Sequence, residues 1–379
     1  TTRNLQITKQ ETPTRENAVT GLETKLRARM KSEGPLTVAQ YMAAALGHPE
    51  FGYYMKRDPL GRAGDFITAP EITQVFGELL GLWCLDYWRC LGSPDPFLLV
   101  EMGPGRGTLM MDALRAVSMN PDFLAAARVH LVENSPVLKA HQEEVLRDYE
   151  VVWVESLDRI FGEVPLLLMA NEFLDALPVH QFQRAADGWR ERLVGLDSET
   201  GGFRFLLTEG TVSLPETLAA TEVADAPPGS ITEICPGGLT FVSDLSARLG
   251  CYGGAALVVD YGYARSAIGD TLQAVRGHCP CAVLEAPGYT DITAHVDFAA
   301  LTTTALDSGI HVHGPLSQGA FLRSLGIEAR TAQLAESVPE EERWLLKSGC
   351  QRLISEEEMG TLFKAFALTG SSQPVPAGF

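Results

Sequence analysis

One stretch constrains this chain more than any other: Leu98-Leu99-Val100-Glu101-Met102-Gly103-Pro104-Gly105-Arg106-Gly107-Thr108. Three consecutive apolar residues suit a parallel strand covered on both faces. The glycines that follow let the backbone turn sharply and approach a ligand with no Cβ in the way. A helix over Leu109 to Val117 is expected on the far side. Doubly wound α/β sheets bind nucleotide-like cofactors on such a strand, turn and helix.

The spacing narrows the cofactor. The pattern is G-x-G-x-G, whereas a dinucleotide fingerprint needs G-x-G-x-x-G, which would put its third glycine at Thr108. The carboxylate of Glu101, two residues before the first glycine, would repel a pyrophosphate. It suits S-adenosyl-L-methionine, which carries an ammonium and a sulfonium and no phosphate. No Gly-Lys-Ser/Thr for a nucleoside triphosphate occurs. A second strand over Arg128 to Glu133 ends in an acid placed to accept both ribose hydroxyls. The expected cofactor-binding set is therefore Glu101, Gly103, Pro104, Gly105, Gly107, Glu133 and Asn134, with Glu155, Ser156 and Asn171 from later strand ends. This set looks like a class I S-adenosylmethionine-dependent methyltransferase.

The remaining chain supports an α/β reading. Val151–Val154, Pro165–Ala170, Ala255–Gly262, Ile310–His313 and Leu362–Leu368 read as further strands of a Rossmann-like seven-stranded sheet, largely parallel, with helices between them. Val179–Arg184, Trp189–Gly195 and Phe203–Leu207 alternate like antiparallel strands, so an inserted β-meander is expected, followed by a loose linker over 219–229. At 379 residues a main domain with a smaller lobe is expected. The division is a disordered segment over 1–20, a helical N-terminal lobe over 21–96, and a methyltransferase domain over 97–379 with insertions at about 178–230 and 263–308. A net charge of −18 argues against nucleic acid and anionic membrane, and suits a cationic substrate. Seven cysteines without a repeating framework point to a reducing compartment. The apolar patch Leu79–Leu85 is too short to span a bilayer.

Longer motifs carry a closer resemblance. Gly64-Asp65-Phe66-Ile67-Thr68-Ala69-Pro70-Glu71 precedes the glycine turn, and Asn171-Glu172-Phe173-Leu174-Asp175-Ala176-Leu177-Pro178 follows it. Then come Asp260-Tyr261-Gly262, Pro287-Gly288 with Asp291-Ile292-Thr293-Ala294-His295-Val296-Asp297-Phe298, and Gly314-Pro315-Leu316-Ser317-Gln318. In this order, over about residues 30–368, they resemble the MidA-type family. That family is similar to a mitochondrial complex I assembly factor that is a protein arginine methyltransferase. The resemblance implies symmetric dimethylation of an arginine on a respiratory complex I subunit, in a bacterial cytoplasm or a mitochondrial matrix. An assembly chaperone that binds the cofactor, and a small-molecule methyltransferase, are the alternatives. The oligomeric state is left open.

Arginine is a difficult nucleophile because its guanidinium stays protonated and delocalised at neutral pH. Carboxylates that grip the fork bidentately would localise that charge. Glu172, where the fourth strand ends, is the first candidate, with Asn171 beside it. Asp65 and Glu71 are further catalytic candidates in a loop that could fold over the crevice. Phe66, Thr68, Asp175, Asp260, Tyr261 and His295 are substrate-binding candidates, His295 with Asp291 and Asp297 as a base cluster. His278-Cys279-Pro280-Cys281 lacks a second pair at zinc spacing, so no metal site is expected.

Overall fold

The computed structural model describes residues 21–379 apart from 57, 62, 63, 215–222 and 224. Residues 1–20, expected to be disordered, and the first part of the expected linker over 219–229 lie outside the described residues.

Seven strands run through the main sheet: β1 Phe97–Met102, β2 Ala127–Val132, β3 Val151–Val154, β4 Leu166–Asn171, β5 Gly254–Tyr263, β6 His311–Ser317 and β7 Phe363–Thr369, and a two-residue eighth strand, Val296–Asp297, pairs with the end of β5. Their spatial order is 3-2-1-4-5-7-6. The first five are mutually parallel, and β7 runs antiparallel between β5 and β6. Every residue of β1 and β4 is buried, because helices cover both faces. Alternation divides their side chains by face. Leu99, Leu167, Met169 and Leu257 pack with helices Gln74–Cys90 and Thr108–Val117. Leu98, Val100, Leu168 and Val258 pack with helices Pro236–Tyr252 and Phe298–Asp307.

The strand order reverses between β1 and β4, which opens a crevice at the carboxyl ends of both strands. Antiparallel strands cover one end of the molecule: His180–Ala185, Gly188–Leu196 and Phe203–Leu207, as the alternation predicts, joined by Leu36–Thr37 and Ile231–Ile234. Helices Gly21–Glu33 and Val38–Gly47 pack on this sheet. Thr37 caps the second of them through a capping box with Gln40.

The long helix Gln74–Cys90 is capped by Thr73, and Ala69–Ile72 before it is a separate short helix. Four helices between β6 and β7 (Gln318–Ser324, Ile327–Glu336, Glu340–Ile354 and the one-turn Met359–Leu362) were not expected from the sequence.

Candidate active site

A cavity of about 670 Å³ fills the crevice. Its floor is the glycine turn. Gly103, Gly105 and Gly107 all have positive φ, at 57°, 55° and 82°. At Gly105 the positive φ favours glycine, and a Cβ, 2.7 Å from Leu60 Cδ1, would also displace the Leu60 side chain. Gly107 occupies the N-cap position of helix Thr108–Val117.

Glu101, next to last in β1, precedes this turn and is only 3% exposed. Burial, reinforced by the charge of Glu133, pushes its carboxyl up to about 8 against a backbone hydrogen bond from Met110. Its Oε2 is buried without a hydrogen-bond partner. Glu133, just past β2, is held on both oxygens: the Ser135 N–H donates to Oε1 at 2.7 Å and Gln142 Nε2 to Oε2 at 2.9 Å. Burial raises its pKa as well.

The opposite wall is Asn171 and Glu172 at the end of β4. Glu172 has φ 48°, a left-handed conformation that turns the chain out of the sheet. Asp260, the residue of β5 just past its last pair with β4, stabilises that turn: its Oδ2 accepts the N–H groups of Phe173, Leu174 and Asp175 at 3.1, 2.8 and 3.2 Å. Glu172 Oε1 accepts the Ala69 N–H at 3.0 Å and Asn171 Nδ2 at 3.2 Å. Asn171 Oδ1 is buried without a partner. Burial first, then the nearby Asp175 charge, pushes the Glu172 carboxyl up to about 8.

The segment before helix Gln74–Cys90 closes over the crevice. Leu60, Phe66, Thr68 and Glu71 line the cavity from that side. Arg106 in the glycine turn ties the segment down, with Nε 2.6 Å from Asp58 Oδ2 and Nη1 3.4 Å from Glu71 Oε2. Thr108 Oγ1 donates to the other oxygen of Glu71.

Comparison with known proteins decides the family. A family model described as S-adenosyl-L-methionine-dependent methyltransferase matches residues 79–316. This chain belongs to that family. The methyltransferase is 38% identical to the zebrafish (Danio rerio) protein named protein arginine methyltransferase NDUFAF7, mitochondrial, over 92% of this chain and 86% of the relative. It is also 38% identical to the human protein of the same name, over 93% and 84%. A COG1565-superfamily structure from Burkholderia thailandensis, bound to S-adenosylhomocysteine, superposes with a TM-score of 0.82 at 29% identity, covering 94% of each chain.

The cofactor is S-adenosyl-L-methionine, and the residues present fit it. The unpartnered Glu101 Oε2 offers an acceptor to a cationic amine, and Gly103 and Gly105 line the cavity beside it. Glu133, Asn134, Glu155 and Ser156 line the same cavity at the ends of β2 and β3.

The other expected site residues divide by position. Gly103, Pro104, Gly105, Phe66, Thr68, Glu71, Asn171 and Glu172 line the cavity, whereas Gly107, Asp65, Asp175, Asp260, Tyr261 and His295 do not. Asp65 is buried, with Tyr53 Oη donating to Oδ2 at 2.7 Å and the Gly277 N–H to Oδ1 at 2.6 Å, so both oxygens hold loops together. Asp175, pushed up to about 6 by burial, and Tyr261 are hydrogen-bonded to each other behind the wall. The three residues expected as a base cluster around His295 each have another partner. His295 packs edge-on against Tyr261, Asp291 accepts Tyr54 Oη at 2.8 Å, and Asp297 caps helix Phe298–Asp307.

Sequence reasoning missed Gln142, Tyr54 and Leu60. Gln142 carried a usable signal: it lies four residues after Leu138, on the inward face of helix Pro136–Val145.

Proposed function

We propose that this methyltransferase methylates an arginine of a protein. The observation that carries the reading is the acceptor wall. Glu172 has one oxygen fixed by Ala69 and Asn171, its Oε2 makes no hydrogen bond among the described residues, and the neighbouring Asn171 Oδ1 is unpartnered. Two adjacent acceptors on one wall of a cavity suit the planar donor fork of a guanidinium.

Bound S-adenosyl-L-methionine supplies an electrophilic methyl group, with Glu101, the glycine turn and Glu133 holding it. Glu172 grips and orients the acceptor nitrogen. Its carboxyl, pushed up to about 8 in the empty site, is drawn back to the ionised form when a cation arrives. The methylated guanidinium must lose one proton, and the Glu172 carboxylate, whose conjugate acid is weakened by burial, can take it. The overall charge of −18 favours approach of a basic protein segment.

The relatives named protein arginine methyltransferase support the acceptor class. The sequence motifs extend the proposal to symmetric dimethylation and a respiratory complex I subunit as substrate. The full chain, incubated with methyl-labelled S-adenosyl-L-methionine and isolated complex I subunits, should place label in symmetric dimethylarginine after hydrolysis. Saturating enzyme that labels no arginine would overturn the acceptor assignment. Label confined to monomethyl or asymmetric products would overturn the symmetric one.

A further inference from the structure

Gln142 is fully buried, and its amide is paired at every end that matters. Nε2 donates to Gly105 O at 2.7 Å and to Glu133 Oε2 at 2.9 Å. Oε1 accepts the indole N–H of Trp153 on β3 at 2.9 Å. The orientation of the amide is forced. An indole N–H can only donate, and the Gly105 carbonyl can only accept, so a flipped amide would lose every one of these bonds. The backbone and stem of Gln142 also lie beneath the third glycine, where a Cβ on Gly107 would be 3.4 Å from Gln142 Cα and Cγ.

One side chain therefore joins the glycine turn to the acid of the second strand. Glu133 depends on it: with Oε1 taken by the Ser135 N–H and Oε2 by Gln142, the carboxylate plane is fixed, and lone pairs remain for further donors. We infer that Gln142 is a positioning residue for S-adenosyl-L-methionine, setting the distance between the turn that receives the amino-acid end and the carboxylate that receives the ribose hydroxyls. Trp153 acts one step further out, by choosing the amide orientation. The inference rests on the assignment of Glu133 to the ribose.

The test is S-adenosylhomocysteine binding to the full chain by calorimetry, alongside thermal unfolding without ligand. Gln142→Met keeps the length of the side chain and removes both donors. It should weaken S-adenosylhomocysteine by roughly tenfold or more, as expected for lost hydrogen bonds to a charged group. Glu133→Ala should also weaken binding, and the double variant should lose less than the product of the two single effects, because both act on one carboxylate. A merely structural role predicts a lower melting temperature with affinity kept within twofold once the protein is folded, and that result overturns the inference. Independent, multiplying effects overturn it too. Unchanged affinity in Glu133→Ala would instead overturn the ribose assignment. Should Gln142→Met fail to fold, Trp153→Phe carries the test: it frees the amide to turn, and an unchanged affinity there overturns the inference.

Discussion

The backbone N–H of Ala69 donates to Glu172 Oε1 at 3.0 Å, linking the segment over the crevice to the end of the fourth strand, 103 residues away in sequence. This bond gives Glu172 a fixed rotamer. It also makes the covering segment a wall of the acceptor site, since Thr68 and Glu71 on either side of Ala69 line the same cavity.

Glu172→Gln preserves size and the bond from Ala69 while removing the charge that a guanidinium needs. Methyl transfer to protein should fall by about 100-fold or more, the scale of losing one partner of a buried charged pair. Affinity for S-adenosylhomocysteine should stay within a few-fold. Transfer near the wild-type rate would exclude Glu172 from the acceptor site.

The buried carboxyls make stability depend on pH in a definite direction. Unfolded, they ionise near pH 4, whereas folded, Glu101 and Glu172 are pushed up to about 8 and Asp291 to about 7, in each case chiefly by burial. Between those limits the native state binds more protons than the unfolded state, so stability falls as pH rises through the folded values. The cofactor-free protein should melt roughly 3–6 °C lower at pH 8.5 than at pH 6.5. Glu101→Gln should flatten that slope, and scanning calorimetry at both pH values with an equal melting point for the wild type would refute the account.

Gly105→Ala combines a positive φ with a Cβ placed 2.7 Å from Leu60 Cδ1. It should cost about 1–3 kcal/mol of stability and lower the affinity for S-adenosylhomocysteine by an order of magnitude. Denaturant unfolding and calorimetry measure the two effects separately. Gly210→Ala, where nothing lies within 4 Å and φ is not positive, is the control and should leave affinity unchanged.

Arg106 holds the covering segment through Asp58 and Glu71, and it is about one-third exposed. Such pairs contribute little to global stability, about 1 kcal/mol or less. Their effect should appear in kinetics. Arg106→Ala should speed S-adenosylhomocysteine release several-fold in stopped-flow measurements, and raised salt should speed release from the wild type but not from the variant. Equal release rates would show that the segment is held by its apolar contacts alone.

Asp260→Ala would leave three neighbouring N–H groups, at Phe173, Leu174 and Asp175, without their acceptor. An unpaired buried donor costs about 1–3 kcal/mol, so a loss of at least about 3 kcal/mol is expected on urea unfolding. Destabilisation below 1 kcal/mol would mean that the left-handed turn at Glu172 holds without Asp260.

The sequence by itself determined the sheet strands, the cofactor class and the acids near the ends of the first four strands. These are local properties: apolar runs such as Leu98–Val100, the G-x-G-x-G spacing, and a carboxylate within a residue of where each of the first four strands ends. Its family motifs pointed to the acceptor class, but they could not separate cavity from scaffold. Asp65 and Glu71 stand six residues apart in one motif, and only the fold decides that Glu71 faces the cavity while Asp65 turns away to hold the loops of Tyr53 and Gly277. The roles of Asp260, Gln142 and the Ala69 N–H were equally hidden, because each depends on a partner brought close by sheet order, not by chain distance. Tertiary structure alone decided which carboxylates are paired and which keep a free oxygen. A hydrogen bond is satisfied by whichever group lies within about 3 Å, and a single chain read along its length does not specify that neighbour.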